Sequence, residues 1–151
     1  MFSLVVFIAV VAAAAITGGQ FMPGEWYAQL AKPSWTPPSW LFGPVWTVLY
    51  VAIAMAGWLV WRADKRVGVP LALWIAQIVL NAAWSWLFFG LHRPGTALIE
   101  IVILLALIVG FAVAAWPVNR TASILFVPYA LWVGFATALN FAIWRLNPGA
   151  P

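Results

Sequence analysis

Residues 35–50 read WTPPSWLFGPVWTVLY, and here a long loop becomes an apolar helix. Pro38 restricts Pro37 to an extended conformation, so the chain is not helical at this dipeptide. Gly43 and Pro44 then favour a helix start, because proline is tolerated in the first turn, where its missing N–H would be unpaired anyway. The stretch therefore predicts that the loop ends and a membrane-length helix begins near Pro44.

The helix that follows carries large aromatic side chains on one face. Trp46 and Tyr50 are four residues apart, so their rings lie above one another on the same side of the helix. An aromatic belt at the membrane interface would also be rich in tryptophan and tyrosine. From these residues alone, a ligand site and an interface belt both remain open.

The composition places the chain in a membrane. Of its 151 residues, 66% are hydrophobic and 7% are charged, and the mean hydropathy is +1.04. A soluble domain carries about 25% charged residues. The chain has no cysteine, one histidine and three acidic residues, so we expect no metal site and no hydrolytic chemistry. The net charge of +4 is spread over loops, which argues against a nucleic-acid partner.

Five apolar stretches are long enough to cross a bilayer. We expect spans at residues 2–21, 44–61, 70–90, 97–116 and 121–144. The intervening segment 22–43 is the only long loop, and its aromatic content favours a folded lid with a short helix over residues 24–30. All later connections are short, so neighbouring helices should be antiparallel. The expected fold class is an all-α integral membrane protein: a five-transmembrane-helix bundle with a structured loop, forming one domain over residues 1–151.

Polar residues inside two spans are candidates for function. Gln77, Asn81 and Ser85 recur every four residues on the third span, and amides in hydrocarbon need hydrogen-bond partners. They either join helices to one another or donate to a ligand at a pocket wall. Trp132 lies near the middle of the fifth span, where its N–H also needs a partner. Core packing and a pocket wall are both open for Trp132.

Other tryptophans and the few ionisable groups have simpler interpretations. Tryptophans near the ends of spans are expected in the interfacial belt: Trp58, Trp61, Trp74, Trp116 and Trp144. Glu100 is expected in the first turn of the fourth span, where its side chain would reach water, although an intramembrane acid can also couple protons. His92 is expected on a surface loop, with haem ligation as the alternative.

Three sequence blocks resemble the TspO/MBR family, the tryptophan-rich sensory protein and translocator protein family that includes the peripheral benzodiazepine receptor. The first is KPSWTPPSWLFGPVWTVLY at residues 32–50, and the second is QIVLNAAWSWLFFG at residues 77–90. The third comprises VPYALW at residues 127–132 and LNFAIWR at residues 139–145. The blocks occur in order and cover nearly the whole chain, so the resemblance is highly specific.

The resemblance implies a receptor, sensor or carrier for planar hydrophobic ligands. Tetrapyrroles such as protoporphyrin IX and haem come first, and sterols and isoquinoline or benzodiazepine drugs come second; no obligatory cofactor is expected. The pocket should lie between the first, second, third and fifth spans, under the loop, and an aromatic cavity suits a flat ligand. The expected ligand-binding residues are Tyr27, Trp35, Phe42, Trp46, Tyr50, Asn81, Trp84, Phe88, Trp132, Ala136 and Leu139.

The family is also associated with sterols and with dimers. Its sterol motif would fall on Leu139, Phe141 and Arg145, but Phe141 stands where the motif has tyrosine, so the motif is degenerate. A homodimer is expected, with small residues of the third span at the contact: Ala72, Ala76 and Ala83. The expected location is the bilayer of a bacterial cell membrane or outer membrane.

Two other functions remain open. The first is light-dependent oxidative degradation of protoporphyrin IX, which the resemblance suggests for some family members; Trp46 and Trp132 would then be oxidisable partners of the excited porphyrin. No other catalytic residue is expected. The second is a proton-coupled drug exporter, which requires a central acid, and Glu100 is the only acidic residue within a predicted span.

Overall fold

In a computed structural model, residues 2–151 are described, with side chains from residue 3 onward. The described chain contains helices and connecting loops, without a strand. The α-helices are α1 Phe2–Gly19, α2 Glu25–Gln29, α3 Phe42–Asp64, α4 Val69–Ser85, α5 Pro94–Ala115 and α6 Arg120–Leu146. A 3-10 turn, Ser39–Leu41, leads into α3, and a π-helical segment, Trp86–Gly90, continues α4.

Five of these helices have the length and composition of membrane spans. Four helical stretches are long and apolar enough to cross a bilayer: Ser39–Asp64, Val69–Gly90, Pro94–Ala115 and Arg120–Leu146. The shorter α1 has 18 residues, and transmembrane helices use about 17–25. The five-helix membrane bundle predicted from the sequence is therefore confirmed.

The helix ends differ by a few residues from the predicted spans. α3 begins at Phe42, so Pro44 lies inside its first turn. The N–H groups of a first turn have no partner within the helix, so the missing N–H of Pro44 costs no helical hydrogen bond. α3 ends at Asp64 and is capped by the next residue, Lys65, which has a φ of 51° and donates its backbone N–H to the Trp61 carbonyl at 2.7 Å. α6 begins after Asn119, whose side chain accepts a hydrogen bond from the Ala122 N–H at 3.0 Å.

The spans form a ring of packed neighbours. α1 packs on α3 and α4, α4 packs on α5, α5 packs on α6, and α6 returns to α3. α3 and α4 approach closely at Gly57, since a Cβ added there would lie 2.6 Å from the Trp74 ring. The ring leaves an interior space, and this space holds the candidate site.

Trp74 does not belong to the interfacial belt, so that prediction is wrong. Its side chain is 2% exposed, and its Nε1–H donates to the Ile53 carbonyl at 2.8 Å. Phe7 packs edge-on against the ring, with 5.0 Å between centroids. The indole is buried because Gly57 leaves room for it and a carbonyl of α3 accepts its proton. The other belt residues are exposed or half-buried near helix ends: Trp58, Trp61, Trp116 and Trp144.

The long loop is structured, as predicted, and is tied to the end of α6. The Ala31 N–H donates to Asn147 Oδ1 at 3.0 Å, and Asn147 Nδ2 donates to the Ala31 carbonyl at 2.9 Å. Within the loop, the Lys32 ammonium lies 4.7 Å from the centroid of the Tyr27 ring. The predicted short helix is present as α2. These contacts hold the loop over one end of the bundle.

Candidate ligand-binding site

A cavity of about 440 Å³ occupies the space between the spans. All five spanning helices contribute to its wall, and the loop at Phe21, Met22 and Pro23 covers one end. Small-molecule pockets usually have volumes of about 300–1,000 Å³ and are mostly apolar, with a few polar groups. The cavity therefore has the size and character of a site for one organic ligand.

Seven of the eleven predicted ligand-binding residues line this cavity. They are Phe42, Trp46, Tyr50, Asn81, Trp84, Trp132 and Ala136. They come from α3, α4 and α6, which are the second, third and fifth spans. The three sequence blocks that are far apart in the chain thus meet around one space.

One face of α3 forms an aromatic wall. Phe42, Trp46 and Tyr50 follow one another at intervals of four residues, which places them on the same side of the helix. The centroids of Trp46 and Tyr50 are 5.3 Å apart, with a 33° interplanar angle. Phe42 meets the edge of Trp132 from α6 at 5.8 Å. The wall therefore offers several ring faces to a flat ligand.

A network of hydrogen bonds fixes Asn81 at the cavity wall. Asn81 Nδ2 donates to the Tyr129 hydroxyl at 2.7 Å, and that hydroxyl donates to Gln77 Oε1 at 2.8 Å. The Tyr50 hydroxyl donates to Asn81 Oδ1 at 3.1 Å. Gln77 and Tyr129 are fully buried. Asn81 therefore joins α3, α4 and α6, while it also lines the cavity.

Trp84 is held in place by a second set of bonds. Its Nε1–H donates to Asn140 Oδ1 at 3.1 Å, and Asn140 Nδ2 donates to the Pro94 carbonyl at 2.8 Å. Phe88 stacks on the Trp84 ring at 5.0 Å with a 22° interplanar angle. This part of the wall, shared by α4, α5 and α6, is therefore rigid.

Trp46 and Trp132 differ from the other cavity tryptophan in their hydrogen bonding. Within residues 3–151, neither indole N–H donates a hydrogen bond to protein, and both rings are half-buried. A buried indole N–H normally finds a partner. The two N–H groups are therefore available to a carbonyl or carboxylate of a ligand in the cavity.

The other four predicted ligand-binding residues do not line the cavity. Tyr27, Phe88 and Leu139 lie in a neighbouring apolar cluster that also contains Ala97 and Ile143. Burial in this cluster raises the pKa of the Tyr27 hydroxyl, which lies in the loop, outside the spans.

Trp35 is exposed, and its ring meets the edge of Phe135 at 5.6 Å. The direction of the Trp35 side chain depends on how the loop folds back over the bundle. The residues next to Trp35 in the sequence do not determine that path.

Several cavity residues were not predicted. They include Gly18, Phe21, Met22, Pro23, Phe89, Ile101, Leu104 and Val133. A Cβ at Gly18 would lie 3.6 Å from Ser85 Oγ, so the small residues of α1 are a signal that could have indicated the cavity. Ile101 and Leu104 of α5 are apolar residues in an apolar helix, and nothing in their sequence context distinguishes them.

Glu100 is buried, so the prediction that it reaches water is wrong. The residue is 9% exposed, and within the described chain neither carboxyl oxygen has a hydrogen-bond partner. α5 begins at Pro94, three residues before the predicted start, which moves Glu100 from the first turn into the second. The side chain then lies in the bundle instead of at the interface.

His92 is exposed, as predicted. It stacks on Trp26 of α2, with 4.4 Å between centroids and 9° between planes. It does not line the cavity. Across residues 2–151, no group of three or more His, Cys, Asp or Glu side chains is placed to hold a metal ion.

The degenerate sterol motif does not form one surface. Leu139 is 6% exposed, whereas Phe141 is 49% exposed, and Arg145 is also exposed. Positions two residues apart lie on roughly opposite sides of a helix. Leu139 therefore faces the apolar cluster while Phe141 faces outward.

Comparison with known proteins finds relatives that match nearly the whole chain. The profile of the TspO/MBR family matches residues 5–145. Protein CrtK of Rhodobacter capsulatus is 40% identical over 95% of this chain and 92% of its own length. The human translocator protein is 40% identical over 87% of this chain and 82% of its own. A tryptophan-rich sensory protein of Cereibacter sphaeroides is 38% identical over 96% and 91%.

Proposed function

The chain belongs to the TspO/MBR family and is a multi-pass integral membrane protein; on this basis we propose that it is a membrane receptor, sensor or carrier that binds a planar hydrophobic ligand in the central cavity. The names of two relatives, translocator protein and tryptophan-rich sensory protein, support a role of this kind. The preferred ligand is a tetrapyrrole.

The aromatic lining of the cavity carries this proposal. Phe42, Trp46, Trp84 and Trp132 present rings from three helices to one space, and none of the described residues that line this space is charged. Aromatic rings favour flat π-systems through offset stacking and edge contacts. The polar groups in reach, such as Asn81 and the indole N–H groups of Trp46 and Trp132, would orient a carbonyl or carboxylate.

The donor set favours metal-free protoporphyrin IX over haem. Haem iron takes histidine, cysteine, methionine or tyrosine as an axial ligand. Among the described residues that line the cavity there is no histidine or cysteine, and the one thioether is that of Met22. Tyr50 is engaged with Asn81. Sterols and isoquinoline or benzodiazepine drugs are apolar enough to be secondary ligands of the same cavity.

The test is a titration of the purified protein with protoporphyrin IX in the dark, followed by tryptophan fluorescence. We expect saturable quenching, and Trp46→Phe and Trp132→Phe should each raise the dissociation constant about two- to tenfold. That range corresponds to a loss of about 0.5–1.5 kcal/mol, because phenylalanine keeps an aromatic ring but lacks the larger indole surface and its N–H donor. Trp116→Phe is the matched control, because Trp116 is 48% exposed and outside the cavity. An absence of saturable binding would remove tetrapyrroles as the ligand.

The position of Trp46 and Trp132 favours a second candidate function. Both rings line the cavity without a hydrogen bond to protein in the described chain, so a porphyrin excited by light could take an electron from an indole and pass it to dioxygen, which becomes superoxide. The indole radical cation would then regain its electron from the ground-state porphyrin, and the porphyrin radical cation would combine with superoxide to give an oxygenated product. Illumination of the complex in air should then bleach the porphyrin and produce new absorption bands. Equal bleaching in the wild type and in a Trp46→Phe, Trp132→Phe double variant that still binds would eliminate this function.

A homodimer through α4 remains a prediction. Ala72 is exposed, and Ala76 and Ala83 are half-buried on that helix. Small residues allow close approach of two transmembrane helices. Cross-linking in bilayers that yields only monomers would contradict it.

A further inference from the structure

A groove of about 580 Å³ lies on the outside of the bundle, between α3 and α6. Every described residue that lines it is apolar, and its open side faces the region where lipid would lie. Val48 of α3 and Leu131 of α6 are 69% and 70% exposed. A molecule in this groove would therefore be in contact with the hydrocarbon of the bilayer.

Trp132 lines both the groove and the central cavity. Its indole is therefore part of the wall that separates the two spaces. The ring touches Phe42 at 5.8 Å and Phe135 at 5.7 Å between centroids, and within the described residues it donates no hydrogen bond. Trp84, by contrast, is fixed by Asn140. Packing alone thus holds the Trp132 ring in place.

The segment of α6 that carries Trp132 is bracketed by two weak points. Pro128 lies inside the helix and has no N–H to donate to the Ile124 carbonyl. Gly134 follows Trp132 by two residues, and glycine is a poor helix former. Apart from the neighbouring backbone of α6 itself, no atom of the described residues lies within 4 Å of a Cβ added at Gly134, so packing does not require glycine there. Pro128 and Gly134 therefore weaken α6 on either side of Trp132, the residue that divides the groove from the cavity.

We propose that the groove between α3 and α6 is the membrane-side entrance to the cavity, used by a flat apolar ligand dissolved in the bilayer when the Trp132 ring turns aside. This inference rests on the proposed function, since it supplies the route for that ligand. Among the described residues the groove is lined almost entirely by apolar atoms, with the Trp132 indole N–H at its boundary with the cavity, so an apolar ligand would meet little polar surface there. The opposite route, under the loop, is held by the paired hydrogen bonds between Asn147 and Ala31.

Kinetics in a bilayer test this route. The protein is placed in phosphatidylcholine nanodiscs, mixed with protoporphyrin IX in a stopped-flow instrument, and followed by tryptophan quenching. Val48→Phe together with Leu131→Phe fills the groove without touching the cavity lining. We expect both the association and the dissociation rate constants to fall about tenfold, with the equilibrium constant unchanged. Val113→Phe on α5, a position that is 71% exposed, is the matched control and should have no effect.

Two further variants keep the test decisive if the groove variant folds poorly. Gly134→Ala adds a methyl group into open space and stiffens α6, so it should also slow both rate constants. Asn147→Ala loosens the loop and should leave both unchanged; faster binding and release in that variant would place the route under the loop. If the variants of the groove and of Gly134 bind protoporphyrin IX saturably with unchanged rate constants, the proposed entrance is wrong but the proposed function stands. An absence of saturable binding to the wild type overturns the proposed function and the entrance together.

Discussion

Tyr129→Phe tests whether the buried hydrogen bonds behind the cavity stabilise the bundle. The hydroxyl of Tyr129 donates to Gln77 Oε1 at 2.8 Å and accepts from Asn81 Nδ2 at 2.7 Å. Tyr129 and Gln77 are 0% exposed and Asn81 is 6% exposed, so no solvent replaces the lost hydroxyl. The substitution keeps the ring and removes one oxygen, which leaves two amide groups each short of one partner.

The size of the effect follows from the number of bonds lost. Side-chain hydrogen bonds between transmembrane helices are each worth about 0.6 kcal/mol on average, and at most about 1.7 kcal/mol. Tyr129→Phe removes two, so the free energy of unfolding should fall by about 1–3 kcal/mol. Tyr50→Phe removes only the 3.1 Å bond to Asn81, and about half that loss is expected.

Tyr27→Phe is the matched control in this series. Within the described residues the Tyr27 hydroxyl makes no hydrogen bond, although the ring is 7% exposed. The same atom is removed from the same residue type, so the change in free energy should be close to zero. The order of destabilisation is therefore Tyr129, then Tyr50, then Tyr27.

The assay is reversible unfolding in mixed micelles, with increasing sodium dodecyl sulfate, followed by circular dichroism. A double-mutant cycle with Asn81→Ala should show a coupling energy, because Asn81 and Tyr129 share a bond. If Tyr129→Phe costs no more than Tyr27→Phe, or if its effect and that of Asn81→Ala simply add, then the network does not stabilise the bundle and the reasoning is refuted.

Three other predictions concern single positions. Gly57→Ala should lower the free energy of unfolding by about 1–3 kcal/mol, because the new Cβ would lie 2.6 Å from the Trp74 ring. An unchanged free energy in the same unfolding assay would show that the Trp74 ring can shift freely. Glu100→Leu should raise the free energy of unfolding by about 1–3 kcal/mol, because both carboxyl oxygens are buried without a partner in the described chain. A lower free energy of unfolding in this variant would mean that the carboxyl has a partner. Asn147→Ala should speed amide hydrogen exchange in residues 20–41 by removing their bonds to α6, and slow exchange there would show that other contacts hold the loop.

Much of the fold could be predicted because the bilayer leaves a chain few choices. In hydrocarbon every backbone N–H and C=O must be bonded within the segment, so a long apolar stretch is a helix. The five spans follow from this rule, and short connections make neighbouring helices antiparallel. The i, i+4 spacing of Trp46 and Tyr50 likewise determined that both rings share one face of α3, which is where the cavity lies.

The sequence by itself thus determined the number of helices, their order and the faces that carry Trp46, Asn81 and Trp132. Only the tertiary structure decided which neighbour each face meets. It placed Trp74 in the core, because Gly57 of another helix leaves room for the ring. It also buried Glu100 between helices and put Trp132 between cavity and groove. The physical reason is that hydropathy and helical period act within one segment, whereas burial and hydrogen-bond partners depend on the rotation and depth of helices that are distant in the chain.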